Sequence, residues 1–264
     1  GAPARATRSL SCAEYDALLR DVNALGERLP SECTASFCPQ AAWARCVVRL
    51  AVQDLLGAGG ATGSDGCAGG LASDSLAACH GGRGHAASLQ QAYEKHCLKV
   101  SLADFLVIAA EATMADARKR VQAADGAAPG VDFRSRFKYG RPTAASCPAA
   151  GAAPEAGCAA LREVLVNRMG IDPLRAVALT GWRALGLDGV GAGWGLDNSY
   201  FVSMLTHGWV PAYRSGARRW ADGAGGPAAM LDSDLCLAFQ LPGAAAAGAG
   251  EGNGAGGPGA GAGA

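Results

Sequence analysis

Apolar residues recur at helical spacing through most of the first 207 positions. Tyr15, Leu18, Leu19, Val22 and Leu25 fall on one face of a predicted helix over 13–29. Trp43, Val47, Leu50, Ala51 and Leu55 do the same over 41–56, before a glycine-rich stretch from Gly57 to Gly70 where helix continuation is costly. A third helix is predicted over 86–97. A fourth starts at Ser101, an N-cap residue with Asp104 three positions on, and turns Leu102, Phe105, Leu106 and Ala109 one way. After a Pro/Gly/Ala-rich stretch over 126–157, the pattern resumes at 157–170 with Leu161, Val164, Leu165 and Met169. Asp172-Pro173 opens a helix over 173–186 as N-cap and first-turn proline, and another covers 197–207. No stretch alternates apolar and polar residues long enough to demand a sheet, so the predicted class is all-α, with at most a short hairpin near 209–230.

At 264 residues the chain can bury a full core. We read 1–242 as the folded domain, in two lobes over about 1–125 and 157–242. Residues 243–264 are almost wholly Gly and Ala and cannot bury enough apolar surface to offset their ordering entropy, so they read as a disordered tail or linker. With 23 basic against 23 acidic residues, the chain lacks the basic excess that nucleic-acid binding requires. No run approaches the roughly 20 apolar residues of a membrane-spanning helix. Ten scattered cysteines, none in a Cys-x-x-Cys pair, point to up to five disulfides and an oxidising compartment rather than to zinc. The competing reading is ten buried thiols in a reducing one. Residue 1 follows no apolar h-region, so any signal peptide is expected to have been removed already.

Four segments, in order, resemble the non-animal (plant, fungal and bacterial) haem peroxidases, closest in pattern to the ascorbate and cytochrome c peroxidases. Val48-Arg49-Leu50-Ala51-Val52-Gln53-Asp54 is similar to the family's distal helix, with its Arg-Leu-x-x-His-Asp/Ser pattern. Ser101 to Ala109, trailed by Tyr139-Gly140-Arg141, is similar to the next helix and the family's Gly-Arg loop. Ala178-Leu179-Thr180-Gly181-Trp182-Arg183-Ala184-Leu185-Gly186 resembles the proximal helix, where the family has an iron-binding histidine. Leu196 to Phe201, continuing to Leu231-Asp232-Ser233-Asp234, resembles the Phe-Asn-Asn-x-Phe helix and the Leu-Pro-x-Asp element. The resemblance spans roughly 13–242 and implies a two-lobed helical fold around a haem cleft.

Peroxidase chemistry requires a proximal imidazole on iron with a carboxylate behind it, a distal imidazole to relay a proton, and a cation for the breaking O–O bond. On the family pattern Arg183 stands where the iron ligand belongs, and a guanidinium has no lone pair for a metal. Gln53 stands at the distal position and cannot titrate near neutrality. The asparagine that orients the distal imidazole would fall near His85 or Ala86, and neither residue supplies it. Arg49, the distal cation, and Asp234, the proximal carboxylate, are retained; Trp194 resembles the family's proximal tryptophan. Arg183 and Asp234 are therefore expected to form a buried ion pair where iron, imidazole and carboxylate would meet.

The implied function is a secreted pseudo-peroxidase with no catalytic residues and no cofactor. It would serve as a structural or binding module among other extracellular or matrix proteins. The alternative is a haem-dependent peroxidase reducing hydrogen peroxide with unusual ligation. A third, weaker reading has the vacated haem cleft bind another small molecule. The resemblance also implies a weak calcium site, since Asp54, Gly63 and Asp65 follow the pattern of secreted peroxidases, with Cys67 in place of the last oxygen ligand.

Overall fold

A computed structural model of the chain describes residues 10–34, 38–58, 89–125, 132–144, 158–184, 198–214, 217–226 and 228–239. Most of these are helical. In chain order they form α1 (Cys12–Glu27), α2 (Pro39–Ala58), α3 (Leu89–His96), α4 (Leu102–Asp125) and α5 (Cys158–Arg162), which continues as a π-helical segment, Glu163–Arg168. Next come α6 (Pro173–Thr180), tightening into a 3-10 turn at Gly181–Ala184, α7 (Ser199–Thr206), strands β1 (Trp209–Arg214), β2 (Ala217–Asp222) and β3 (Ala229–Met230), and α8 (Asp232–Leu235). The three strands make one antiparallel sheet in the order β1-β2-β3, in register at Trp209↔Asp222 and Trp220↔Met230. The class is thus mostly helical with a small sheet, not purely helical: the hairpin near 209–230 gains a third strand.

Local chemistry explains where the helices begin. Ser11 caps α1 in a reciprocal box, its hydroxyl accepting from Glu14 N–H while Glu14 Oε2 accepts from Ser11 N–H at 3.0 Å. Ser101 Oγ accepts from Asp104 N–H at 3.0 Å at the head of α4. Asp172 Oδ1 accepts from Leu174 and Arg175 N–H ahead of α6, with Pro173 in the first turn.

The larger buried cluster joins the apolar faces of α1, α2, α3 and α4 through residues such as Leu18, Val22, Trp43, Val47, Phe105 and Ile108. Leu161, Leu165 and Ala176, from beyond the 126–157 stretch, belong to this same cluster. A second, smaller cluster gathers Tyr200, Met204, Trp220, Met230 and Leu235 between α7 and the sheet. Leu237 packs against both. Each fully buried Leu, Ile or Phe contributes about 1.5–3 kcal/mol, so these helical faces supply the main driving force for the fold.

Cys33 and Cys38 are joined by a disulfide, and Cys46 and Cys236 are also disulfide-bonded. Cys12 and Cys97 are free thiols. The expected upper bound of five bridges is therefore not reached, since five would need all ten cysteines. Cys12 is exposed at the start of α1, and Cys97 turns its thiol back to the carbonyl of Glu94 at 3.4 Å. No helix among the described residues is long and apolar enough to cross a membrane. The tail over 243–264 lies outside the described residues.

Candidate functional site

The 3-10 turn after α6 delivers Arg183 into the interior, 7% exposed. Gly181 lets this turn lie close to α7, since a Cβ there would meet the Phe201 ring at 3.2 Å. From the other side, the turn into α8 presents Asp234, 1% exposed. The two side chains meet: Arg183 Nη1 donates to Asp234 Oδ1 and, at 3.0 Å, to Ser233 Oγ. Asp234 also accepts from Tyr200 O–H at 2.9 Å on Oδ1 and from Leu231 N–H at 2.7 Å on Oδ2. The buried ion pair expected from the sequence is present, and its carboxylate is saturated with donors. Burial, and then the charge of Asp234, push the Tyr200 hydroxyl well above the ordinary tyrosine range, so it remains a donor to that carboxylate. Trp220 Nε1 donates to Asp232 Oδ1 at 2.7 Å and ties the same turn to β2.

The pair forms one wall of a cavity of about 140 Å³. Among the described residues, Arg45 and Arg49 of α2, Trp182 beside Arg183, and Arg219 of β2 also line it. The structure therefore brings together Arg49, Arg183 and Asp234, which lie far apart in the chain. Gln53, one turn beyond Arg49, is half-buried and does not line the cavity. Trp194, His80 and His85 lie outside the described residues. Arg45 and Arg219 were not singled out from the sequence. The i,i+4 spacing of Arg45 to Arg49 is a signal for the first, because both then share one face of α2. Nothing local marks Arg219, whose place depends on strand pairing.

Among the described residues that line the cavity there is no imidazole, the usual peroxidase ligand of haem iron. Arg183 offers iron no lone pair. His96 is engaged with Asp21, Nε2 to Oδ2 at 2.8 Å, and His207 sits beside Ser203; neither lines the cavity.

Asp54, the first residue of the suggested calcium set, is buried and accepts from Arg141 Nη2 at 2.9 Å. A cation there would have to displace a guanidinium already supplying the opposite charge. Gly63 and Asp65 lie outside the described residues, and among the described ones no cluster of three or more acidic, His or Cys side chains could hold a metal.

One further constellation has the composition of a nucleophilic triad. Ser203 Oγ lies 3.1 Å from His207 Nδ1, and His207 Nε2 lies 3.9 Å from Asp222 Oδ2. The geometry argues against that chemistry. His207 Nδ1 is also 2.9 Å from the Ser203 carbonyl oxygen, which can only accept, so that nitrogen carries the proton and cannot take one from the hydroxyl. Ser203 itself is 4% exposed.

The chain matches no protein-family model, and no curated protein matches it.

Proposed function

We propose that this chain is a secreted protein of haem-peroxidase-like, two-lobed fold whose haem site is retired, and that it acts as a non-catalytic structural or binding module of an extracellular assembly. The observation that carries this reading is the buried Arg183–Asp234 pair at the meeting point of the two motifs that would hold iron and its supporting carboxylate. A guanidinium locked there by Asp234 and Ser233 excludes axial ligation from the position the motif reserves for it. Disulfides at Cys33–Cys38, Cys46 and Cys236 favour the oxidising compartment.

Titrating the purified protein with haemin while recording its absorbance tests the reading. The expected result is no saturable, stoichiometric Soret shift, and no peroxide-dependent oxidation of a phenol beyond that of free haemin. A one-to-one Soret band accompanied by peroxidase turnover would establish the opposing view, a haem-dependent peroxidase with unusual ligation.

A further inference from the structure

We propose that the Cys33–Cys38 disulfide is an exchange-active bond, at which a low-molecular-weight thiol becomes covalently joined to Cys33. The inference goes beyond the retired-haem reading and does not depend on it. It rests first on an asymmetry of access. Cys33 is exposed, whereas Cys38 is buried at 5% exposure. Cys46 and Cys236, also disulfide-bonded, are half-buried. A thiolate opens a disulfide by attacking one sulfur and expelling the other, so the exposed sulfur decides which product forms.

The sulfur expelled by attack at Cys33 is that of Cys38, which directly precedes the 20-residue helix α2. The Cys38 carbonyl accepts from Ala42 N–H at 2.9 Å, which makes this residue the start of the helix's hydrogen-bond ladder. The positive end of the helix dipole favours a thiolate there, and a better-stabilised leaving thiolate departs faster. The step is balanced without an oxidant. A bond forms between the incoming sulfur and Cys33 Sγ, the Cys33–Cys38 bond breaks, and its electron pair goes to Cys38 Sγ. Attack by the Cys38 thiolate on the mixed disulfide runs the step backward and releases the thiol. The fold does not depend on the bond to hold α2 in place. Gln40 Nε2 donates to the Leu29 carbonyl at 2.8 Å, and Gln40 Oε1 accepts from Arg120 Nη1 at 3.0 Å. Those contacts tie the segment before the bond to α2 and α4. The cysteines are also only 5 positions apart, so opening the bond frees less chain entropy than opening a long loop would.

Treating the whole chain with graded reduced glutathione, quenching with N-ethylmaleimide in denaturant and mapping the peptides tests the bond. Glutathione is expected on Cys33 and the maleimide label on Cys38, forming about tenfold or more faster than label appears at Cys46 or Cys236. The helical circular dichroism should stay unchanged over the same range. Cys12→Ser, which removes the exposed free thiol, should keep the parental rate. Four results overturn the inference. They are no glutathione adduct, an adduct on Cys38 instead, opening at Cys46 or Cys236 as fast as at Cys33, and loss of helix in step with the adduct. Loss of exchange in Cys12→Ser also overturns it, since an internal thiol would then be opening the bond.

Discussion

Asp234 accepts from Arg183, Tyr200 and the backbone of Leu231 in a place that solvent barely reaches. Removing the carboxylate would leave the Arg183 cation buried and uncompensated, which costs about 3–5 kcal/mol. Tyr200→Phe deletes only one donor to a charged acceptor, about 1.5–3 kcal/mol. Urea denaturation should therefore rank Asp234→Ala as the more damaging, and equal losses would show that the pair is not what holds this turn. Two other carboxyl groups respond to pH with opposite signs. Hydrogen bonds from the Ser11 backbone and hydroxyl hold Glu14 down at about 2, below the ordinary 4.5. Its stabilising contribution is complete above about 4.5 and fades as pH falls toward 2. Glu111 is shifted upward, because burial outweighs the hydrogen bond it accepts from Tyr15 at 2.7 Å. The native state then binds the proton more tightly, so stability falls as pH rises from 4.5 through the folded value. Measured against the parent, Glu14→Gln should lose stability at pH 6 and little at pH 2.5, whereas Glu111→Gln should show no such loss at pH 6.

Between elements, two contacts decide how the helices meet. α1 and α2 approach closely because Gly26 has no side chain: a Cβ there would lie 2.9 Å from Cζ3 of the buried Trp43. Gly26→Ala gains at most about 1 kcal/mol of helix propensity, while overpacking costs about 1–3 kcal/mol. A net loss of roughly 1 kcal/mol in chemical denaturation is expected. The second contact is Asp104, whose carboxylate accepts from the backbone N–H of Gly140 at 2.7 Å and of Arg141 at 3.3 Å. Gly140 has a φ of 116°, a conformation that favours glycine. This anchorage fixes Arg141 against Asp54 and Ala103. Asp104→Ala should release the loop, seen as faster hydrogen exchange at Gly140 and Arg141 with little change in the helices. Unchanged exchange would mean that the Arg141–Asp54 pair suffices.

For the whole molecule, bridging of the ten cysteines separates an oxidised scaffold from a set of buried thiols. Alkylating the native protein and mapping the peptides should label Cys12 and Cys97, and should leave Cys33, Cys38, Cys46 and Cys236 unlabelled until a reductant is added. The helices were legible beforehand because each announces itself locally, by a 3.6-residue apolar repeat and by caps such as Ser101 and Asp172. β3 escaped notice because two residues carry no periodicity and exist as a strand only beside Trp220 and Ala221. At the cavity, Arg49, Arg183 and Asp234 were named from motifs, but Arg45 and Arg219 were not, since a charged side chain bears no mark of the space it faces.

The sequence by itself determined where the helices start, which faces they bury, and that position 183 carries a permanent cation with no lone pair for a metal. These follow from interactions within a few residues or from the chemistry of one side chain. Only the tertiary structure decided that Arg183 meets Asp234, that Asp54 belongs to Arg141, and that four arginines share one cavity. Those outcomes depend on packing between segments distant in the chain, where small differences in burial and shape, not local propensity, choose the partner.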